Sequence, residues 1–374
     1  MKTYNIGISG FGLMGKVHSQ CYLLQQINYR QDFLVNLESL NTLEIKNDNH
    51  LFRHQTTSFS EFLNNNLDLI DICTPNSSHY NQVKQALDKG LNIYCEKPLC
   101  STIEESISLV KQVASTTLLN QVALVYRFIP AFSIVRDVLA SGQIGTPLHF
   151  SFTLRHASYL HRPKNNEWRT NKAQSGGGVI VDLGIHAFDI IRFILGEFST
   201  ISVNSLTYSQ DNEKVLPTAM NDCDDYSSCY CKLSNNIFGT IELSKLCQST
   251  RPEWVLEIFG SKGSIYADAD NANEVCVTAS TNSKSIIRDL SLSTYSKNLK
   301  SWLSGFPVSR EIAPHMASIR SVLCAMHLNQ HIEGVPTFSE ALASQLVIEA
   351  GIESIKSNGT VVPVKQIEEV LNDY

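Results

Sequence analysis

No apolar run in this 374-residue chain approaches the ~20 residues that span a bilayer, so a helical membrane protein is excluded. Charge of one sign is also missing. The 36 acidic and 30 basic residues leave a net charge of −6, with no block of like charge. That balance argues against nucleic acid or an anionic membrane as the main partner. The opening "MKTYNIGISGFG" has too short an apolar run for a signal peptide, and glycine breaks it early. The ten cysteines lack the spacing of a disulfide framework, and Cys73, Cys95 and Cys100 fall at or beside expected strand ends, as reduced thiols commonly do. A cytoplasmic protein is expected. The usual metal signatures are missing too: there is no HExxH, "HLNQH" at His327 and His331 lacks the glutamate, and Cys229-x-Cys231 has no second pair. No metal is expected.

What is present is enough apolar material, 43% of residues, for a substantial core. The length suits two domains, since single cores stop growing near ~250–300 residues. The strand-like "YNIGISG" runs into Gly10-Phe11-Gly12-Leu13-Met14-Gly15 and then into a helical pattern. A GxGxxG turn between strand and helix is the dinucleotide fingerprint. Gly10 allows the tight turn, Gly12 lets backbone approach a pyrophosphate, and Gly15 lets helix pack on strand. The second strand should end in an acid for the adenine ribose ~20 residues on. "DFLVNLESL" places Glu38 there, with Glu44 and Asp48 as rivals. A carboxylate repels a 2′-phosphate, which favours NAD over NADP.

Two further strand–turn–helix units follow. "LDLIDICTPNSSH" leaves its strand at Thr74, Pro75 and Asn76, with His79 one turn on. In an open parallel sheet ligands bind beyond such carboxyl ends, so these four are cofactor-loop candidates. "LNIYCEKPL" repeats the scheme with Glu96 and Lys97; Pro98 holds Lys97 extended on the same sheet edge. Further on, "SGGGVIVDLGIHAFDIIRFILG" spaces Asp182, His186 and Asp189 at i, i+4 and i+7, one face of a helix. Alone, that stripe fits metal ligands, catalytic groups or a solvated face. The Gly176–Gly178 run allows close backbone approach to a ligand.

"GFGLMG", "CTPNSSH", "CEKPL", "VYRFIP" and "GGGVIVDLGIHAFDIIRFILG", in that order and spacing, resemble the Gfo/Idh/MocA family of NAD(P)-dependent oxidoreductases. The resemblance covers residues 1 to about 196, with looser signals beyond it. It implies an α/β chain: a Rossmann domain with a doubly wound parallel sheet, then an α/β domain on an open, largely antiparallel sheet. The boundary is expected at 1–126 and 127–374. "LHFSFTLRHA", "ISVNSLTYS", "YSSCYCKLSN", "IFGTIELSK", "WVLEIFGS" and "GSIYADA" alternate with period 2, in keeping with that second sheet.

The resemblance also implies roles. It makes Lys97, Asp182 and His186 catalytic and substrate-binding, and puts Arg127 at the cofactor. Arg155, Trp168 and Arg169 become substrate-pocket residues. Asp189, heading the buried-looking run "IIRFILG", reads as structural, pairing Arg192 or orienting a neighbour. The expected reaction is hydride transfer between a nicotinamide and a secondary alcohol of a sugar, cyclitol or sugar derivative. His186 would move the proton and Lys97 would steady the oxygen. NAD-dependent glycoside hydrolysis and a non-catalytic NAD(P) sensor are the alternatives. Partners are a sugar or polyol and, through the sheet face, a homodimer or homotetramer. The tract 271–312 matches no motif.

Overall fold

The computed structural model describes residues 1–28, 33–45, 50–158, 160, 176–209, 214–217, 223–248, 253–281, 283–304 and 309–373. The chain forms two compact units. The first comprises Met1–Phe128 and Asn298–Leu342, the second Ile129–Lys297 and Ala343–Tyr374. The first crossing falls between Phe128 and Ile129. The return of 298–342 to the first unit was not foreseen from sequence.

The first unit is built on six parallel strands: β1 (Lys2–Ser9), β2 (Phe33–Asn41), β3 (His54–Thr56), β4 (Leu69–Ile72), β5 (Asn92–Cys95) and β6 (Asn120–Val122). Their order is β3-β2-β1-β4-β5-β6. From β1 the chain moves outward first to one side and then to the other, so the switch point lies between the carboxyl ends of β1 and β4. Helices α1 (Leu13–Asn28), α2 (Phe59–Phe62), α3 (Asn76–Asp88) and α4 (Ile103–Ala114) connect them. Thr102 caps α4, its hydroxyl accepting from the Glu105 N–H. The returning helix Ala313–Leu328 packs on α1. Its Met316, Ile319, Val322 and Leu323 join Tyr4, Ile6, Cys21 and Tyr22 in one buried cluster. Burying that apolar stripe brings the segment back.

The second unit opens with α5 (Pro130–Ala140) and carries a ten-stranded sheet. Its strands are β7 (Pro147–Arg155), β8 (Phe198–Ser209), β9 (Lys214–Pro217), β10 (Tyr226–Leu233), β11 (Phe238–Ser244), β12 (Trp254–Gly260), β13 (Gly263–Asp268), β14 (Val275–Ala279), β15 (Lys284–Ile287) and β16 (Val362–Pro363). All pairs are antiparallel except β7–β11. The six alternating segments noted in the sequence supply β7, β8 and β10 to β13. The unmatched tract becomes β14 and β15 at the sheet edge, followed by the helix Thr294–Leu303. Among the described residues no helix is long and apolar enough to cross a membrane.

Candidate functional site

In the first unit the glycine turn lies at the β1–β4 switch point. Gly10 has φ +94°, a conformation that favours glycine, and its N–H donates to Asn41 O at 2.8 Å. A Cβ on Gly15 would stand 2.0 Å from Gly10 O, so only glycine lets α1 sit this close to the turn. A Cβ on Gly12 would meet nothing within 4 Å, so the space above the first turn of α1 is open. Beside it Leu13 is 73% exposed and Met14 half-buried, while Phe11 packs edge-on against Phe52. An open helix N-terminus offering free N–H groups fits a dinucleotide pyrophosphate.

Glu38 differs from its expected placement at the end of β2, which continues to Asn41. Ile6 pairs with Leu37 and Gly7 with Ser39, so Glu38 is the extra residue of a β-bulge. Its buried carboxylate lies 3.4 Å from Arg53 and 3.6 Å from His54. The strand end carries Asn41 instead, whose side-chain oxygen accepts from Ser9 Oγ at 3.0 Å. The bulge shifts the strand's phase, which a strict period-2 reading misses.

The next two loops adjoin this turn. Cys73 N–H bonds Ser9 O at 2.7 Å, and Glu96 N–H bonds Ile72 O at 2.9 Å. Thr74 donates to Gln82, Pro75 stands at the N-cap of α3, and Asn76 opens the helix without capping it. His79 is fully buried: its Nδ1 lies 2.9 Å from Pro98 O and its Nε2 2.9 Å from Thr74 O. It braces both loops through their backbones. Burial pushes its pKa below the ordinary value, against the opposing pull of the two carbonyls.

Lys97 is half-buried, and its N–H donates to Glu96 Oε2 at 3.1 Å. Glu96 Oε1 lies 3.3 Å from His18 Nε2, whose Nδ1 lies 3.0 and 3.1 Å from the two oxygens of Asp71. Burial alone would raise Glu96, but its close interaction with His18, with the His315 and Lys97 charges, overrules it and holds it at about 2. Arg127 faces inward, donating to Glu340 at 2.5 Å and to Gly334 O at 3.3 Å. It ties the turn Val125–Phe128 to the returning segment.

In the second unit the expected single helix is split. Asp182 closes the short helix Val179–Asp182, and His186 lies in the first turn of Gly184–Leu195, with Leu183 between. His186 is 8% exposed. Asp182 accepts from Lys245 Nζ at 2.6 Å, and that ammonium is buried. Lys245 continues the inward positions Gly239, Ile241 and Leu243 of β11, a period-2 signal that marked it in the sequence. A lone lysine after a strand is ordinarily solvated, so sequence alone does not pick it out. Arg155 ends the neighbouring β7, paired with Ser244. Asp189 is buried at 3.9 Å from Arg192, which forms a bidentate pair with Glu197 at 2.6 and 2.8 Å. Trp168 and Arg169 lie outside the described residues.

The glycine run serves packing at Gly178. A Cβ there would stand 2.0 Å from Asp224 O, and the Asp224 carboxylate accepts from Ile180 N–H at 3.1 Å and Ser227 Oγ at 2.6 Å. Asp224 thus pins the start of the helix that carries Asp182.

The sequence matches "Oxidoreductase family, NAD-binding Rossmann fold" over residues 4–124 and "GFO/IDH/MocA C-terminal domain" over 132–266. The chain belongs to the GFO/IDH/MocA family. Relatives in this family include levoglucosan dehydrogenase of Pseudarthrobacter phenanthrenivorans, 26% identical over 74% of this chain and 76% of that protein. Inositol 2-dehydrogenase of Rhizobium meliloti is 26% identical over 66% and 73%. A levoglucosan dehydrogenase structure in complex with NADH superposes with a TM-score of 0.84, covering 98% of this chain and 100% of that one at 22% identity. At that identity the superposition shows a shared fold. The family description adds NAD binding.

Two expected outcomes follow from this geometry. Replacing Lys245 by methionine should release Asp182 from its partner and, if Asp182 anchors substrate, lower kcat/KM for the sugar by about tenfold or more. The Kd for NADH, followed by fluorescence, should stay unchanged. The second concerns acid. His315 is lowered to about 4 by burial and the His18 charge, so the unfolded chain binds its proton first and stability falls between pH 6.5 and 4. Glu96 has the usual carboxylate sign, its contribution being lost as pH falls from 4.5 to 2. Melting curves in pH steps should show His315→Gln flattening the first interval and Glu96→Gln the second.

Proposed function

We propose that this protein is an NAD-dependent dehydrogenase acting on a secondary alcohol of a sugar, cyclitol or sugar derivative. The observation that carries the reading is the open first turn of α1 beside the "TPN" and "EKP" loops on one sheet edge. Gly10 to Gly15 would hold the pyrophosphate, with Thr74, Pro75, Asn76 and Lys97 as further candidate contacts. The nicotinamide, when bound, supplies the hydride acceptor or donor. His186 takes the hydroxyl proton during oxidation and returns it during reduction. The Lys97 ammonium donates a hydrogen bond to the same oxygen and offsets its developing negative charge. Asp182, held by Lys245, anchors a neighbouring hydroxyl, and Arg155, Trp168 and Arg169 are the remaining substrate candidates. The names of the relatives support sugars and cyclitols as the class.

The same reading places the enzyme in the cytoplasm, in keeping with ten free cysteines, as a homodimer or homotetramer pairing through the sheet face. A panel of sugars, cyclitols and their glycosides with NAD and with NADP, followed at the reduced-nicotinamide absorbance, tests it. Net NADH formation on a free sugar or cyclitol is expected. Glycoside cleavage without net NADH would point to the hydrolase instead, and silence across the panel with intact NADH binding would point to a sensor.

A further inference from the structure

Beneath the cofactor edge of the first unit lies a buried chain of charge that the reaction as described does not use. It runs from Asp71, which interrupts the otherwise apolar β4, through His18 on α1 to Glu96 at the end of β5. From there Glu96 Oε2 accepts the Lys97 N–H at 3.1 Å. Each member comes from a different segment, and His18 and Asp71 are wholly buried.

The geometry decides the state of His18. Its Nδ1 faces both Asp71 oxygens at 3.0 and 3.1 Å and the Cys73 sulfur at 3.2 Å, and against an ionised Asp71 that nitrogen carries a proton. Its Nε2 then faces Glu96 Oε1 at 3.3 Å, where a neutral ring would set one lone pair against another. The contact is an ion pair rather than an aligned hydrogen bond, since both atoms are buried without a hydrogen-bond partner. A cation between two carboxylates resolves the conflict. We propose that His18 is a positioning residue: as an imidazolium between Asp71 and Glu96, it fixes the carboxylate that holds the Lys97 peptide, and so sets where the Lys97 ammonium acts.

The surrounding groups fit that state. Lys97 and His315 also face Glu96, and the buried His315 stays neutral above about pH 4. The Cys21 and Cys73 thiols and the Tyr22 and Tyr94 phenols around the ring are all raised, chiefly by burial, and add no charge near neutral pH. Burial would discharge His18, but the Asp71 and Cys73 interactions raise its pKa overall. This inference rests on the dehydrogenase reading.

Two measurements test it. Nitrogen-15 NMR of the histidine-labelled protein, with His18 assigned through its ring contacts to Tyr94 and His315, should show both ring nitrogens protonated at pH 8. A neutral tautomer, or a metal on Nε2 shared with Glu96 and His315, overturns the proposal. Kinetics then separate positioning from folding. His18→Asn keeps a donor towards Asp71 but cannot reach Glu96; His18→Gln keeps the reach to Glu96. The first should lower kcat by about tenfold or more, with Kd for NADH within about threefold, and the second should restore most of kcat. Equal kcat in both variants and wild type, or equal losses of kcat and NADH binding in both, overturns it. In Asp71→Asn the cation loses one carboxylate, so the same NMR measurement should show His18 giving up a ring proton at lower pH than in wild type; an unchanged titration overturns the bridge. Should wild type oxidise no sugar, the functional reading fails, while the NMR state still judges the bridge.

Discussion

Replacing Lys97 or His186 by alanine is expected to cut turnover by ~10²-fold or more, while the Kd for NADH changes little. Under the proposed mechanism the two residues do different work. Without His186 the hydroxyl proton would have to leave to water as the hydride departs. Without Lys97 the oxygen would carry its developing charge unsupported. The surroundings of each favour a clean result. Ile185 and Ala187, either side of His186, are fully buried, so its backbone is fixed by packing that alanine leaves in place. Lys97 is positioned through its backbone N–H and the Glu96 carboxylate, which the substitution also spares. Steady-state kinetics with the sugar found in the panel, beside NADH titration, separates the effects; near-normal turnover in both variants would defeat the assignment.

Gly15→Ala is expected to weaken NADH binding by about 10- to 100-fold and to lower the melting temperature. The new Cβ would stand 2.0 Å from Gly10 O, a backbone atom with no rotamer to yield. Either α1 backs away from the turn or the turn deforms. Overpacking of this kind costs about 1–3 kcal/mol. Where that distortion falls on the pyrophosphate site, about 1.4 kcal/mol corresponds to each tenfold in Kd. Gly12→Ala is the matched control for folding. Its Cβ enters open space, so it should spare the melting temperature while encroaching on the ligand. If Gly15→Ala bound NADH as wild type does, the placement of the pyrophosphate at this turn would be wrong.

By itself the sequence determined what depends on neighbours along the chain. The spacing Gly10, Gly12, Gly15 between a strand and a helix needs only a few residues to declare itself. So do the strand exits at "TPN" and "EKP" and the alternating segments of the second sheet, because period 2 and turn chemistry are local properties. Tertiary structure decided what depends on residues far apart. The bulge at Glu38 exists only in the pairing of β2 with β1. The Gly178 requirement arises from the Asp224 backbone, 46 positions along. Lys245 became a partner of Asp182 because β11 carries it inward at the end of the strand. His18, unremarkable within "KVHSQ", gained its importance from Asp71 and Glu96. A buried charge is costly unless it is paired, so each such residue in an apolar segment announces that a partner exists. Only the folded chain says which partner it is.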